Sequence, residues 1–227
     1  MLGPYYTNKN KIAYAGNKLF KPLKEVEAIR PPDLSHRHNE IKEDEQKWRA
    51  LINIWDEIFS SSAKFMKKTN ALFFDLPIIT RMISSPGALT GTISSDVDPF
   101  EIKFFNKTTF LTQSSQLYLE FAITNPKIDK VYCWEKSFRR ERADFRHLPE
   151  FTHIEFEGNI PFEENLKFQS QYVQFLVQSL IKNVQSDLRV FLKGNDIELL
   201  DSFSKIKKFE KIKFVDAFNL LYNKTGN

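Results

Sequence analysis

Apolar residues recur at spacings of three and four through KEDEQKWRALINIWDEIFSSSAKFMKKTN, residues 42–70, at Trp48, Leu51, Ile52, Trp55, Ile58, Phe59, Ala63 and Met66. That period predicts an amphipathic helix, and its acidic start and lysine-rich end suit the helix dipole. ALFFDLPIIT (71–80) reads as a buried strand whose Pro77 places it at a sheet edge or an interface. Residues 83–98 are rich in Ser, Gly and Asp and form a loop too long to be a simple turn. FEIKFF and TTFLTQ are two short strands with a turn at Asn106-Lys107, after which Ser114-Ser115 can cap a helix through QLYLEFAIT. DKVYCWEKSF and EFTHIEFEG flank an arginine-rich turn and are therefore antiparallel. A second amphipathic helix over about 163–184 presents Leu166, Tyr172, Val173, Leu176, Leu180 and Val184 to the core. KIKFVDAFNLLYNKTGN gives a short strand and a last helix, while the Pro-dotted residues 1–42 form an irregular, extended arm or are partly disordered. The order predicts an α+β fold, an antiparallel β-sheet flanked by helices.

A chain of 227 residues with 41% hydrophobic and 27% charged positions can bury an ordinary core. The net charge of +4 is compatible with nucleotide or nucleic-acid contact and equally with a solvated surface. One cysteine, Cys133, excludes an intramolecular disulfide and a cysteine-based zinc site, and its strand-like surroundings make it core rather than nucleophile. No apolar leader opens the chain and no run approaches 18 apolar residues, so a soluble cytoplasmic protein is expected. His36 with His38, and Asp96 with Asp98, are too weakly patterned to be metal ligands, and no metal-binding residue is assigned. His153 reads as a satisfied, half-buried imidazole, and KIKKFEKIK (205–213) as an exposed face.

The chemistry concentrates in SFRRERADFRHLPEFTHIEFE (137–157). Side chains two apart share a strand face, so Arg139 and Glu141 can act together. A guanidinium binds anionic oxygens bidentately, and a carboxylate accepts from an amino group. Arg146 and His147 can reach a phosphate tail across the turn, and Phe151 offers a ring for a base, a stack worth about 1–3 kcal/mol. The competing reading is a solvated basic hairpin with Phe151 in the core.

The stretch resembles motif 2 of the class II aminoacyl-tRNA synthetases of the aspartate–asparagine–lysine subclass, whose pattern is Phe-Arg-x-Glu, a variable loop, then Arg-His-Leu-x-Glu-Phe. TFLTQSSQLYLEFAIT resembles that subclass's Ser-x-Gln-Leu-Tyr element, ALFFDLPIIT sits where motif 1 lies, and KIKFVDAFNLLYN resembles the segment beyond motif 2. The resemblance implies a synthetase-like core over 43–227, with motif 1 at about 71–80 and motif 2 at about 131–157. It implies that Arg139 holds the ATP α-phosphate and the substrate carboxylate, as the catalytic residue. Glu141 would read the adenine amino group, Arg146 and His147 the distal phosphates, and Phe151 would stack on adenine. Ser114 and Gln116 would bind the amino acid. Aspartate enzymes carry a lysine three residues after that Gln; here Leu119 stands there, followed by Glu120, as in asparagine enzymes. Asparagine is therefore favoured over aspartate, which an acidic group would repel.

The chain departs from the pattern in three places. No glycine-rich motif 3 is found, the acids preceding it that hold Mg²⁺ are missing with it, and Pro86-Gly87 stands where a Glu-Gly is usual. Nor does residues 1–42 contain an anticodon-reading β-barrel, so anticodon selection is not expected. The resemblance implies ATP as substrate with Mg²⁺ expected and a homodimer through motif 1; it is compatible with tRNA contact, motif 3 would come either from a separate chain or from a region outside these residues, and no membrane partner is expected. The alternatives are a non-catalytic paralogue acting as a dimeric binding or regulatory protein, and an RNA-binding accessory.

Overall fold

The computed structural model describes residues 6–7, 13–15, 17–18, 41–42, 44–81, 99–140 and 148–225. The chain forms two compact units. One holds the described parts of Met1–Ala28, Phe73–Gly158 and Lys211–Asn227, the other those of Ile29–Leu72 and Asn159–Glu210.

The second unit is helical. Helix α1 (Glu45–Lys68) begins with Glu45, carries Lys67 and Lys68 in its last turn, and ends through Asn70 in the left-handed region (φ 60). The Ala71 N–H returns to Met66 O at 3.0 Å and the Asn70 N–H to Lys67 O at 3.2 Å, the paired bonds of a Schellman stop with asparagine in the glycine position. Helix α2 (Gln116–Ile123) belongs to the other unit; α3 (Phe162–Phe191) packs along α1. Phe65 lies 5.3 Å from Phe168 and 5.4 Å from Tyr172, ring centre to ring centre, and the Tyr172 hydroxyl meets Ser62 Oγ at 2.8 Å. Asn53 donates to Asp187 and Asn183 to Glu57 across the same seam. A shorter helix, α4 (Asp196–Ser204), covers α3 and fills part of what the sequence leaves unassigned.

Three expectations change here. The buried side of α1 is Ala50, Ser61, Ser62, Phe65 and Met66, whereas Trp48, Ile52, Trp55 and Phe59 are exposed. Helix α3 runs to Phe191 with a non-helical kink at Val184, and Val173 is exposed, while Phe168 and Leu188 carry the burial. ALFFDLPIIT is not one strand: only β4 (Leu72–Phe73) and β5 (Ile79–Thr80) are extended, at the edges of different sheets, and most of the segment is exposed. Pro77 lies between them, and it cannot donate to a ladder.

Among the described residues the strands form three small sheets built on antiparallel pairs. Within residues 1–42, β1 (Tyr6–Thr7), β2 (Ala13–Ala15) and β3 (Asn17–Lys18) pair antiparallel. Strands β6 (Glu101–Phe104) and β7 (Lys107–Leu111) form a hairpin with β5 on its edge. Its turn is Phe105-Asn106, with φ of 49 and 58, not Asn106-Lys107. Both central residues are left-handed, as a twisted two-residue hairpin requires. The third sheet is β4 beside β8 (Lys130–Phe138) and β9 (Glu150–Gly158). The predicted antiparallel pair flanking the arginine turn is thus present, in a register that sets Ser137 opposite Phe151 and Cys133 opposite Glu155. Leu76, Leu119, Val131 and Cys133 form the core between this hairpin and α2. The last helix, α5 (Phe214–Thr225), follows residues 211–213 without the expected strand.

Candidate active site

Strand alternation builds one candidate face on the β8–β9 hairpin. Val131, Cys133, Glu135 and Ser137 of β8 are buried on the same side, and the register adds Phe151, His153, Glu155 and Glu157 from β9. Arg139 continues that side beyond the end of β8, its backbone N–H bonded to Pro149 O at 2.9 Å. Its guanidinium carbon lies 5.4 Å from the centre of the Phe151 ring. The same ring meets that of His153 nearly at right angles, centres 4.7 Å apart. Arg139 and Phe151 are therefore brought together. Glu141, Arg146 and His147 lie outside the described residues, as do Pro86, Gly87, His36, His38, Asp96 and Asp98.

The segment that leads into α2 is fastened to the same face. The Thr112 N–H donates to Ile78 O and the Thr112 carbonyl accepts from the Phe138 N–H, at 2.9 and 2.8 Å. Thr112 Oγ1 donates to the Ser114 carbonyl. The expected serine cap is divided between two groups. Ser114 Oγ accepts the Gln116 N–H at 3.2 Å, and Glu155 Oε2 accepts the Ser115 N–H at 2.8 Å, while the Ser115 side chain caps nothing. One turn on, Gln116 Nε2 donates to Glu120 Oε1 at 2.8 Å. Ser114, Gln116 and Glu120 thus form one group, with both long side chains open to solvent. Leu119, between them, is completely buried in the core.

Charge on this face is mostly acidic. Burial pushes Glu155 upward, but hydrogen bonds from His153 and Ser114, the charge of His153 and the Ser115 N–H together hold it below the usual carboxylate range. Burial raises Glu157, helped by the nearby charges of Glu120 and Glu155. Burial also raises Glu135, opposed by the Leu76 N–H that it accepts at 3.0 Å and reinforced by Asp75 and Glu155. Glu135 thereby ties β8 to the segment before Pro77. Cys133 is pushed up to about 12 by burial and then by Glu155 and Glu135, so it stays a thiol and cannot serve as a nucleophile.

Glu135, Ser137, Glu155 and Glu157 are the residues the motif reading passed over. The alternation of EFTHIEFE contains the signal for two of them, since it puts Glu155 and Glu157 on the Phe151 side, and the alternation of KVYCWEKSF puts Glu135 and Ser137 on one side of the other strand. Among the described residues no three His, Cys, Asp or Glu side chains are grouped to hold a metal ion. No chemical step is assigned to a metal ion.

Comparison with known proteins gives this arrangement its family. Residues 32–226 match the family described as tRNA synthetases class II (D, K and N). An asparagine–tRNA ligase of Desulforamulus reducens is 31% identical over 177 residues, which are 77% of this chain and 38% of that protein. The fold is similar to asparaginyl-tRNA synthetase from Pyrococcus horikoshii complexed with asparaginyl-adenylate, with a TM-score of 0.71, 24% identity, and 93% of this chain but 46% of that one covered. It is likewise similar to the Entamoeba histolytica asparaginyl-tRNA synthetase in complex with asparaginyl-adenylate, with a TM-score of 0.65, 24% identity, and coverage of 89% and 41%. The chain spans well under half the length of the relative it matches. With the match running through the β8–β9 hairpin and the Ser-x-Gln helix alike, the chain belongs to the class II aminoacyl-tRNA synthetases of the aspartate, lysine and asparagine group.

Proposed function

We propose that the chain, with residues 43–227 as its core, is an asparaginyl-type site that binds ATP and an amino acid and joins them as an aminoacyl adenylate. The observation that carries this is the placement of Arg139 beside Phe151 on the face to which Glu155 fastens the Ser114–Gln116–Glu120 group. In that reaction a carboxylate oxygen of the amino acid attacks the α-phosphorus of ATP. The new O–P bond forms as the bond to pyrophosphate breaks, and pyrophosphate leaves. Such a displacement needs alignment and charge neutralisation rather than a protein nucleophile. Arg139 supplies the positive charge at the α-phosphate and substrate carboxylate. Phe151 carries the adenine, with Glu141, Arg146 and His147 assigned to its amino group and the outer phosphates. Glu120, held by Gln116, accepts from the side-chain amide of asparagine.

Asparagine is preferred to aspartate because the position where aspartate enzymes carry a lysine is filled by Leu119, sealed in the core, and Glu120 repels a second carboxylate. The dimer is assigned to residues 71–80. In support, Leu72, Phe73 and Ile78 are exposed there. tRNA is the acceptor of the adenylate, motif 3 is supplied from outside these residues, and the site of action is the cytoplasm. Among the described residues no helix is long and apolar enough to cross a membrane.

The test is amino-acid-dependent exchange of pyrophosphate into ATP, run beside ATP titration. Exchange with asparagine supports the full reading. ATP binding without exchange keeps the site and moves the missing catalytic elements to a partner. Absence of both supports the paralogue.

A further inference from the structure

We propose that His153 is a positioning residue for the amino-acid subsite, acting through Glu155. This rests on the assignment of Ser114, Gln116 and Glu120 to that subsite. His153 Nδ1 lies 3.0 Å from Glu155 Oε1 and 2.8 Å from Ser137 Oγ. The other oxygen of Glu155 accepts the Ser115 N–H at 2.8 Å. That amide lies between Ser114 and Gln116, so the carboxylate holds the peptide that presents both. Ser137, completely buried on the adjacent strand, meets the same ring nitrogen, so its Oγ is a second acceptor for the Nδ1–H.

The proton on the ring follows from its neighbours. Glu155 is held ionised and can only accept, so the nitrogen facing it carries the hydrogen. Ser137 and Glu155 both meet Nδ1. A serine–imidazole–acid relay needs the two different ring nitrogens, so Ser137 is no nucleophile here. What remains is orientation. A glutamate side chain has three rotors; the Nδ1–H pins Oε1 while the Ser115 amide pins Oε2, and the Ser114 side chain adds a further bond to the same carboxylate. His153 is less exposed than a solvated histidine, with 29% of its side chain accessible, against 17% for Glu155.

The Nδ1 geometry separates two conservative replacements. An asparagine amide nitrogen falls near the place of Nδ1, whereas a glutamine amide nitrogen reaches the place of Nε2. The experiment uses the whole chain with His153→Leu, His153→Asn and His153→Gln. It reads amide hydrogen exchange at Ser115, and calorimetric titration with asparagine and, separately, ATP. Removing a hydrogen bond to a charged group costs about tenfold in an equilibrium it controls. His153→Leu is therefore expected to speed Ser115 exchange and to weaken asparagine about tenfold while ATP changes less than about twofold. His153→Asn restores both readouts and His153→Gln neither. Unchanged Ser115 exchange in His153→Leu, an equal loss of both ligands, or rescue by Gln but not Asn overturns the proposal. If His153→Leu does not fold, the Asn and Gln variants make the same comparison. A wild-type chain that binds no asparagine defeats the subsite assignment and this role with it, whereas wild-type binding left intact by His153→Leu defeats this role alone.

Discussion

Replacing Arg139 with alanine separates the site from the fold more sharply than any other single change. The backbone bond from Arg139 N–H to Pro149 O at 2.9 Å survives the substitution, because it uses no side-chain atom. What is lost from the fold is the guanidinium over Phe151 at 5.4 Å, half-buried, a contact worth about 0.5–1 kcal/mol. For a domain of this size that lowers Tm by about 2–4 °C at most. The loss to the ligand is larger. A guanidinium forked onto phosphate oxygens makes charge-assisted bonds of about 1.5–3 kcal/mol each, so losing the pair weakens ATP by about two orders of magnitude or more. Arg139→Lys keeps the charge but not the fork, and recovers only part. The assay is isothermal titration with ATP beside a thermal melt of each variant. An ATP affinity within about threefold of wild type would refute the assignment of Arg139 to phosphate, since a bidentate guanidinium–phosphate contact costs more than that to lose. A melting point lowered by more than about 10 °C would show that Arg139 holds the hairpin together instead.

Other expectations test neighbouring parts of the account. Glu135 accepts the Leu76 N–H from a buried position, so Glu135→Ala should cost about 1–3 kcal/mol in denaturant unfolding by stranding that donor, while Glu135→Gln should be nearly neutral. Because folding raises the Glu135 pKa, its charge opposes the native state at neutral pH, and that penalty is relieved as pH falls through the folded value. Glu155 runs the other way. Its lowered pKa stabilises the fold above the unfolded value near 4.5 and that contribution disappears as pH falls through the folded one, so Glu155→Gln should flatten the acid limb of a stability–pH curve. Leu119→Lys should unfold the chain or lower its stability by at least about 3 kcal/mol instead of converting it to aspartate, since the residue is sealed in the core; a folded, aspartate-binding variant would contradict the placement of Leu119. Ile78→Glu in the exposed part of residues 71–80 should weaken self-association at least about tenfold in sedimentation equilibrium, and an unaltered dimer would remove that segment from the interface.

The hairpin was readable because its determinants are local. Two alternating runs around a short polar stretch specify an antiparallel pair, and β8 and β9 have nearly the predicted limits. The same alternation contained Glu155 and Glu157, but their partners come from elsewhere in the chain. Nothing in EFTHIEFE says that a backbone N–H from Ser115 will meet Glu155, so the fastening of α2 could not be read. Helix α1 shows the opposite failure. Its apolar residues are spread so widely around the axis that periodicity identifies a helix without choosing its inner face. Packing chooses the side with Ala50, Ser61 and Ser62, where small residues let α3 approach, and leaves Trp48 and Ile52 exposed. The turn at Phe105-Asn106 went unread because a bulky residue at positive φ runs against ordinary turn preference. Of the motif residues, Arg139, Phe151, Ser114, Gln116 and Glu120 lie in the described hairpin and α2 region, while the functional weight of Glu141, Arg146 and His147 rests on the motif alone.

The central claim is that this face accommodates an aminoacyl adenylate. Titration of the chain with a non-hydrolysable asparaginyl-adenylate analogue, beside its aspartyl counterpart, tests it most directly. Saturable binding of one asparaginyl analogue per chain is expected, competed by ATP, with the aspartyl analogue at least about tenfold weaker. No binding of either analogue, or binding that Arg139→Ala leaves unchanged, would contradict it.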